Sequence, residues 1–91
     1  MDILDSNLTP SDQAIESSVG DETVLLNLEN GTYYGLDPVG TRIWELLKEG
    51  HSTAEICRLL GAKYEVEQVT IENDVRNFLA DLKEHGIVID G

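Results

Sequence analysis

The chain has 91 residues, which is enough for one domain with a single modest core. Its hydrophobic fraction of 41% is ordinary for a globular protein, and no apolar run approaches the roughly 18 residues that a membrane helix needs. The net charge of -12 makes nucleic acids and anionic membrane surfaces poor partners, because both carry the same sign of charge.

Acidic residues dominate the start of the chain. Every charged residue before Arg42 is acidic, and no basic residue offsets them. This distribution would steer a basic peptide towards the protein, although surface acid also simply keeps a small protein soluble. The acidic N terminus is unlike a signal peptide, and the single cysteine, Cys57, fits a reducing compartment, so we expect a cytoplasmic protein.

The first third of the chain is predicted to form strands. Residues 1–10 show no clear period and are predicted to be a flexible N-terminal arm, which leaves residues 11–91 as one domain. A short strand is predicted around residues 13–18. Residues 23–28 alternate, with Val24, Leu26 and Leu28 on one face, and with Thr23, Leu25 and Asn27 on a second face that could also be partly covered.

A hairpin turn is predicted at Asn30-Gly31, because both residues tolerate the positive φ that a tight primed turn requires. Thr32–Leu36 is then the returning strand. Its β-branched and aromatic residues suit a strand, whereas Gly35 either weakens the strand or lets another backbone approach closely.

The first two helices are predicted from the residues at their ends. Asp37 caps the first helix, and Pro38 takes its first position, where the missing N–H is harmless. Ser52 begins a capping box that opens the second helix, and Gly50 and Gly61 are predicted to end the two helices. The apolar stripe of the first helix consists of Val39, Ile43, Leu46 and Leu47, with Trp44 at its margin.

The third helix is predicted over roughly residues 67–85 and is closed by Gly86, after which residues 87–89 could add a short strand. Its inward residues repeat at helical spacing and are Ile71, Val75, Phe78, Leu79 and Leu82. Strands followed by three helices indicate a small α+β domain. Two short helices before a longer one also fit a helix-turn-helix arrangement preceded by a wing-like hairpin.

Catalytic and metal chemistry find little support in the sequence. Cys57 lies among apolar residues, where an inert buried thiol is expected. His51 and His85 have no Cys or His neighbour, whereas a zinc site needs about four ligands in recognisable pairs. We therefore predict a protein that is not an enzyme and that holds neither metal nor cofactor.

DNA binding is disfavoured by the surface of the predicted helices. A recognition helix should present clustered Arg, Lys, Asn or Gln side chains. The second helix offers only Arg58 and Lys63, and the third offers Arg76 and Lys83 among several acids.

Two features indicate an interaction surface instead. The third helix carries a mixed stripe of Glu72, Arg76, Leu79 and Lys83, which is typical of a helix bordering a groove but also of a core helix with a solvated flank. If Thr32–Leu36 lies at a sheet edge, its free N–H and C=O groups can take up an added peptide strand. For its two tyrosines, core packing and peptide contact both remain open.

The segment "GTYYGLDPVGTRIWELLKEGHSTAEICRLL", followed by "VTIENDVRNFLADLKEHGIV", resembles the PqqD-like proteins, which are peptide-recognition elements in the biosynthesis of ribosomally made peptide natural products. The resemblance covers about residues 23–88. The run Tyr-Tyr-x-Leu-Asp-Pro-x-Gly and the free-standing length are most similar to the leader-binding proteins of lasso-peptide pathways. The matching positions are residues 31–34, Leu36, Asp37, Gly40, residues 43–47, Gly50, Ser52, Asp74, Val75, Phe78, Leu79, Leu82 and Gly86.

The resemblance implies a winged helix-turn-helix-like fold, with a three-stranded antiparallel sheet followed by three helices. It also implies binding of the leader segment of a precursor peptide as an added strand beside the third helix, and delivery of that peptide to processing enzymes. The expected partners are a leader, often basic, with a Tyr-x-x-Pro element, a cysteine protease of transglutaminase type, and an ATP-dependent cyclase resembling asparagine synthetase.

The predicted peptide site combines the returning strand with the third helix. Backbone groups of Thr32, Tyr33, Tyr34, Gly35 and Leu36 are expected to pair with the leader. The expected apolar walls are Tyr33, Tyr34, Leu36, Val75, Phe78 and Leu79. The expected polar contacts are Glu29, Glu72, Asp74, Arg76 and Lys83. The alternative to leader binding is a winged-helix DNA-binding protein or an antitoxin-like regulator.

Overall fold

The structure, a computed structural model, describes Ile3, residues 7–20 and residues 22–90. The α+β class is confirmed, as is the order of a three-stranded antiparallel sheet followed by three helices. The strands are β1 (Leu8–Pro10), β2 (Ala14–Val19), β3 (Glu22–Asn27), β4 (Thr32–Leu36) and β5 (Val88–Asp90). The helices are α1 (Pro38–Lys48), α2 (Thr53–Lys63) and α3 (Gln68–Glu84).

The main sheet has the order β2-β3-β4, with both pairs antiparallel, and β4 forms one edge. The predicted alternation in β3 is confirmed, but the buried face is the one carrying Thr23, Leu25 and Asn27. Val24 and Leu26 are only half-buried, and Leu28 is exposed. This buried face includes the polar Asn27, whose side chain finds partners inside the protein. Its Nδ2 donates to the His85 carbonyl, and its Oδ1 accepts from the Glu29 N–H.

The turn between β3 and β4 differs from the predicted primed turn. It contains residues 28–31, and Gly31 is the residue with positive φ, at 72°. Asn30 does not adopt positive φ; its side chain instead accepts a hydrogen bond from the Thr32 N–H. The Gly31 N–H donates to the Asn27 carbonyl at 2.7 Å. The hydrogen bond to the Asn30 side chain therefore stabilises this turn, which contains one residue with positive φ instead of the predicted two.

The flexible arm predicted over residues 1–10 does not extend to its last three residues. Leu8–Pro10 forms β1, which pairs antiparallel with β5, and Leu8 is buried. The prediction missed this strand because its partner lies at the other end of the chain, beyond the reach of a local pattern. Of residues 1–7, only Ile3 and Asn7 are among the described residues.

The predicted side-chain caps are present at the starts of α1 and α2, whereas the end of α2 differs from the prediction. The Asp37 carboxylate accepts from the Gly40 N–H at 2.6 Å, and Ser52 Oγ accepts from the Glu55 N–H at 3.2 Å. Gly61 does not end α2, which continues to Lys63. A glycine costs a helix only about 1 kcal/mol relative to alanine, so α2 tolerates it. A Cβ at Gly61 would lie 2.5 Å from Gln68 Oε1, a contact that the flexible Gln68 side chain can relieve by moving.

The core lies between the inner face of the sheet and the three helices. Two predictions for α1 need correction: Trp44 is buried rather than marginal, and Val39 is 38% exposed. A buried tryptophan needs a partner for its N–H, and Trp44 Nε1 donates to Glu16 Oε1 at 2.7 Å. Glu16 also pairs with Lys48, so one carboxylate of β2 anchors two residues of α1.

Glu16→Gln is expected to remove a pH-dependent part of the stability. The hydrogen bond from Lys48, assisted by Trp44, lowers the pKa of the Glu16 carboxyl below its usual 4.5. This contribution is therefore present above the ordinary pKa and is lost as pH falls through the lowered folded-state pKa. Because the pair is partly solvent-exposed, we expect the variant to be less stable by at most about 1 kcal/mol at neutral pH.

Urea unfolding of both proteins between about pH 3 and pH 7 measures this difference. Subtracting the two curves removes the contribution of the other acids. The difference should vanish at the acid end, and a difference that stays constant with pH would show that the Glu16 charge does not contribute.

Candidate functional site

The hydrogen-bonding polarity of β3 determines which backbone groups of β4 face outwards. The Leu28 N–H donates to the Gln13 carbonyl on the β2 side, at 2.9 Å. In a strand, the backbone N–H and C=O groups of successive residues point to opposite sides. Those of Leu28 point towards β2, so those of Asn27 and Leu25 point towards β4. Their register partners Thr32 and Tyr34 are bonded to β3. The N–H and C=O groups of Tyr33 and Gly35 consequently point out from the sheet edge.

The two tyrosines of β4 lie on opposite faces of the sheet. Tyr34 is half-buried on the inner face, whereas Tyr33 is 71% exposed on the outer face. Of the two tyrosines, it is therefore Tyr34 that packs towards the helices, whereas peptide contact by either tyrosine remains a prediction.

Tyr34 connects the edge strand to α3. Its ring lies edge-on to Phe78, with centroids 6.1 Å apart, and to His85, with centroids 5.3 Å apart. Its hydroxyl donates to Asp81 Oδ2 at 3.3 Å. Burial, and then the Asp81 carboxylate, raise the pKa of the Tyr34 phenol, which favours the neutral, donating form. Phe78 is itself half-buried, so this cluster presents partly exposed aromatic surface beside the β4 edge.

A groove begins where β4 ends. It encloses about 680 Å³ of open space between the N-terminal turn of α1, with Asp37 and Val39, and the α3 residues Asp74, Asn77 and Phe78. Its floor contains Gly40, where a Cβ would lie 3.1 Å from the Phe78 ring. A larger residue at this position would press against Phe78 and narrow the groove.

A second, apolar pocket continues this groove towards the loop between α2 and α3. It contains about 430 Å³ of open space and shares Val39, Ile43 and Asp74 with the first groove. Tyr64 and Val66 form its far side. Together the two cavities make one channel along α3, which we call the α1–α3 groove.

The α1–α3 groove and the adjoining edge are acidic. Asp37 and Asp74 line the groove, and Asp81 lies beside β4. No Lys or Arg lines either of the two cavities in the part of the chain that the structure describes. The site therefore suits an apolar ligand segment with a positive charge close by.

Three of the predicted apolar walls are core residues. Leu36 is 7% exposed, and Val75 and Leu79 have no exposed surface. Side chains this deeply buried support the site from beneath, and Leu79 cannot contact a ligand without rearrangement of the core. Among the predicted aromatic walls, Tyr34 and Phe78 are the two that lie between β4 and α3.

The predicted polar residues Glu72, Arg76 and Lys83 do not join this site. At 100° per residue they lie on one flank of α3, whereas Asp74, Phe78, Asp81 and His85 lie on the other. The contacts agree, because Lys83 pairs with Asp90 of β5 at 3.2 Å, while Asp81 contacts Tyr34 of β4. A ligand along β4 would therefore be out of reach of the predicted stripe.

Sequence reasoning missed Asp81 and His85, although they lie on the same flank of α3 as the predicted Asp74 and Phe78. Asp74, Phe78, Asp81 and His85 follow the spacing i, i+4, i+7, i+11, which is the same spacing as the stripe that was chosen. Nothing local distinguishes the two flanks, since both are polar with one apolar member. Of the predicted polar contacts, Asp74 lines the groove, and Glu29 lies exposed in the turn before β4.

The described residues also bear on thiol, metal and membrane roles. Cys57 is 3% exposed and packs in the core. Within Ile3, residues 7–20 and residues 22–90, no group of three or more His, Cys, Asp or Glu could hold a metal ion. None of the described helices combines the length and the hydropathy needed to cross a bilayer.

Comparison with known protein families matches residues 22–88 to the family described as Coenzyme PQQ synthesis protein D (PqqD). The chain belongs to the PqqD family. The resemblance inferred from the sequence is thereby confirmed. A comparison with curated proteins finds no match.

Two solved structures are similar to the chain over most of its length. One is described as "TbiB1 in Complex with the TbiA(beta) Leader Peptide"; it is 44% identical, with a TM-score of 0.82, and the match covers 88% of this chain and 93% of that one. The other is described as "Lasso peptide synthetase B1 complexed with the leader peptide"; it is 27% identical, with a TM-score of 0.84, over 92% and 99% of the two chains. Both are described as complexes with a leader peptide.

Proposed function

We propose that this PqqD-family protein binds the leader segment of a precursor peptide in lasso-peptide biosynthesis, and that it presents the peptide to processing enzymes without carrying out chemistry itself. The observation that carries the proposal is the outer edge of β4, which pairs with no strand among the described residues and adjoins the acidic α1–α3 groove. The two similar proteins whose structures contain leader peptides support the choice of ligand.

The backbone of β4 defines the expected binding mode. A peptide strand added at the edge would bond to the N–H and C=O groups of Tyr33 and Gly35, which give affinity regardless of sequence. Beyond Leu36 the chain enters α1, and the ladder can no longer continue. A peptide running past this point would leave the edge beside Asp37 and enter the α1–α3 groove.

The groove would supply the selectivity. Its apolar part, between Ile43, Tyr64 and Val66, would take one ring-bearing or branched side chain of the peptide. A Tyr-x-x-Pro element in a leader would offer side chains of this kind. The carboxylates of Asp74 and Asp81 would favour a peptide with Lys or Arg nearby.

The proposed partners beyond the leader are enzymes that act on the bound peptide. They are a cysteine protease of transglutaminase type, which would remove the leader, and an ATP-dependent cyclase resembling asparagine synthetase. In this arrangement the protein contributes recognition only, which agrees with the burial of Cys57.

Calorimetric titration with a synthetic leader, taken from a precursor gene beside that of this protein, tests the proposal. We expect saturable one-to-one binding tighter than about 1 mM, which corresponds to roughly 4 kcal/mol. A scrambled peptide of the same composition is the control. Equal binding of the scrambled peptide, or preferential binding of duplex DNA that persists at moderate salt, would contradict leader recognition.

Asp74→Asn is expected to weaken binding of a basic leader about 3- to 10-fold and to make that binding less dependent on salt, because a charge lining the groove is removed. Asp12→Asn is the matched control, since it removes the same charge from an exposed turn before β2. Titrations at two salt concentrations measure both effects. If the two variants weaken binding equally, only the overall charge of the protein matters.

A further inference from the structure

Three aromatic rings and one carboxylate meet beside the outward edge of β4. Phe78 and His85 are two helical turns apart, on α3 and at its end, which is a distance of about 10 Å. The Tyr34 ring lies between them, because its centroid is 6.1 Å from that of Phe78 and 5.3 Å from that of His85. Asp81 lies on the same side of α3 and accepts the Tyr34 hydroxyl. We call these four residues the edge cage.

The ring of His85 is fixed in orientation by its hydrogen bonds. Its Nδ1 lies 2.7 Å from the Asp81 carbonyl oxygen, and because a carbonyl oxygen can only accept, Nδ1 carries the proton and donates it. In the neutral imidazole, Nε2 is then an acceptor. The His85 backbone is held as well, since its carbonyl accepts from Asn27 Nδ2 at 2.8 Å. A neutral His85 therefore offers one further acceptor to a ligand at the edge cage.

The edge cage is rich in negative charge and has no cation of its own. The faces of aromatic rings carry partial negative charge and attract cations. Asp81 Oδ2 accepts the Tyr34 hydroxyl, whereas Asp81 Oδ1 accepts no hydrogen bond from the residues that the structure describes. Within the same residues no Lys or Arg pairs with Asp81. A carboxylate flanked by aromatic rings in this way is suited to hold a basic side chain from another molecule.

An added peptide strand would bring one side chain directly to the edge cage. Neighbouring residues in adjacent strands point to the same face of a sheet, so the peptide residue beside Tyr34 would point inwards. Because the backbone groups of Tyr34 are bonded to β3, this pair would be a non-hydrogen-bonded one, in which the two Cβ atoms lie about 5 Å apart in an antiparallel sheet. The peptide residues before and after it would point to the outer face, next to Tyr33 and Gly35.

We propose that the edge cage binds a Lys or Arg side chain of the leader, and that Asp81 and His85 make this one position of the leader selective for a cation. The inference rests on the proposed function for the identity of the peptide. An ammonium or guanidinium group would donate to Asp81 Oδ1 and to His85 Nε2 while lying against the aromatic rings. An apolar side chain of the same length would leave the carboxylate without this charge-assisted bond. The charge preference is thereby assigned to one leader position instead of to the acidic surface as a whole.

A double-mutant cycle measured by titration calorimetry tests this inference. Each Lys of the synthetic leader is replaced in turn by norleucine and each Arg by citrulline, which keep the length of the side chain and remove its charge. We expect replacement at one position to weaken binding to the wild-type protein about 5- to 10-fold, and to weaken binding to Asp81→Asn by less than about twofold. Asp90→Asn is the matched control, because Asp90 pairs with Lys83 on the flank of α3 that is turned away from β4.

His85→Phe tests the second acceptor, since it keeps an aromatic ring beside Tyr34 and removes Nε2. We expect the preference for the basic side chain over its neutral replacement to fall about 2- to 5-fold. This ratio of two affinities is the informative quantity, because general damage to the site would weaken the binding of both peptides equally.

The outcomes separate this inference from the proposed function. Equal losses in the wild-type protein and in Asp81→Asn, or tight binding of a native leader that contains no Lys or Arg, would overturn the edge cage while leaving leader recognition intact. The edge cage is also overturned if Asp90→Asn reduces the loss as much as Asp81→Asn, since the overall charge of the protein would then explain the preference. Absence of any leader binding would instead overturn the proposed function, and the assignment of the edge cage with it.

Discussion

Gly35→Pro is expected to weaken leader binding roughly 10- to 100-fold while leaving the protein folded. The N–H of Gly35 points away from β3, so proline removes no hydrogen bond within the sheet, and an outward-facing position on an edge strand is one of the few that accept proline. The same substitution deletes a donor for an added strand and leaves a peptide carbonyl unpaired against the edge. Titration with the leader measures the loss.

Gly35→Ala is the control for this experiment. It keeps the N–H, and a Cβ at Gly35 would have no neighbour within 4 Å, so we expect near-normal binding and stability. Thermal unfolding of both variants tests whether the sheet is intact. Normal leader binding by a folded Gly35→Pro protein would exclude β4 as the strand that pairs with the peptide.

Asn27→Ala is expected to destabilise the protein by about 2–4 kcal/mol, which is among the larger effects of single substitutions. Asn27 is 2% exposed. Its side chain holds the His85 carbonyl at the end of α3, at 2.8 Å, and the Glu29 N–H in the turn before β4, at 2.9 Å. Alanine would leave both groups without this partner and would open a small cavity between the sheet and α3.

The close approach of Asn27 to Gly86 leaves little room for a side chain at position 86. Its Nδ2 would lie 2.8 Å from a Cβ at Gly86, where the backbone also has positive φ, at 71°. Glycine at position 86 thus allows the positive φ at the end of α3 and also leaves room for the Asn27 side chain.

Asn30→Ala is the matched control, measured by urea unfolding under the same conditions. Asn30 also accepts a backbone N–H, that of Thr32 at 2.9 Å, but it lies at the surface. Water can replace an exposed bond of this kind, so we expect a loss of no more than about 1 kcal/mol. Equal losses in the two variants would mean that the contact between Asn27 and α3 does not stabilise the fold.

Local chemistry in the sequence was sufficient to place most elements of the fold. The caps at Asp37 and Ser52 and the positive-φ glycine at Gly31 act over two to four residues, and the structure places each where it was predicted. Gly61 was misassigned as a helix end because a single glycine is a weak signal when tertiary contacts favour continuing the helix.

The candidate site could be predicted only in part. The β4 strand, its edge position and Phe78 were predicted, whereas Glu72, Arg76 and Lys83 lie on the flank of α3 that is turned away from β4. A helical wheel identifies the two flanks of an amphipathic helix but does not say which of them faces a given strand.

By itself, the sequence determined the order of the elements from β2 to α3, the starts of α1 and α2, the acidic surface and the family, because these depend on neighbouring residues and on composition. Only the tertiary structure decided which face of β3 is buried, that Tyr34 rather than Tyr33 turns inwards, and that Leu8 belongs to a strand. These choices are made by contacts between distant positions, such as Tyr34 with Asp81, 47 residues apart, and Asn27 with His85, 58 residues apart. Alternation makes two faces equally available, and long-range packing selects one of them.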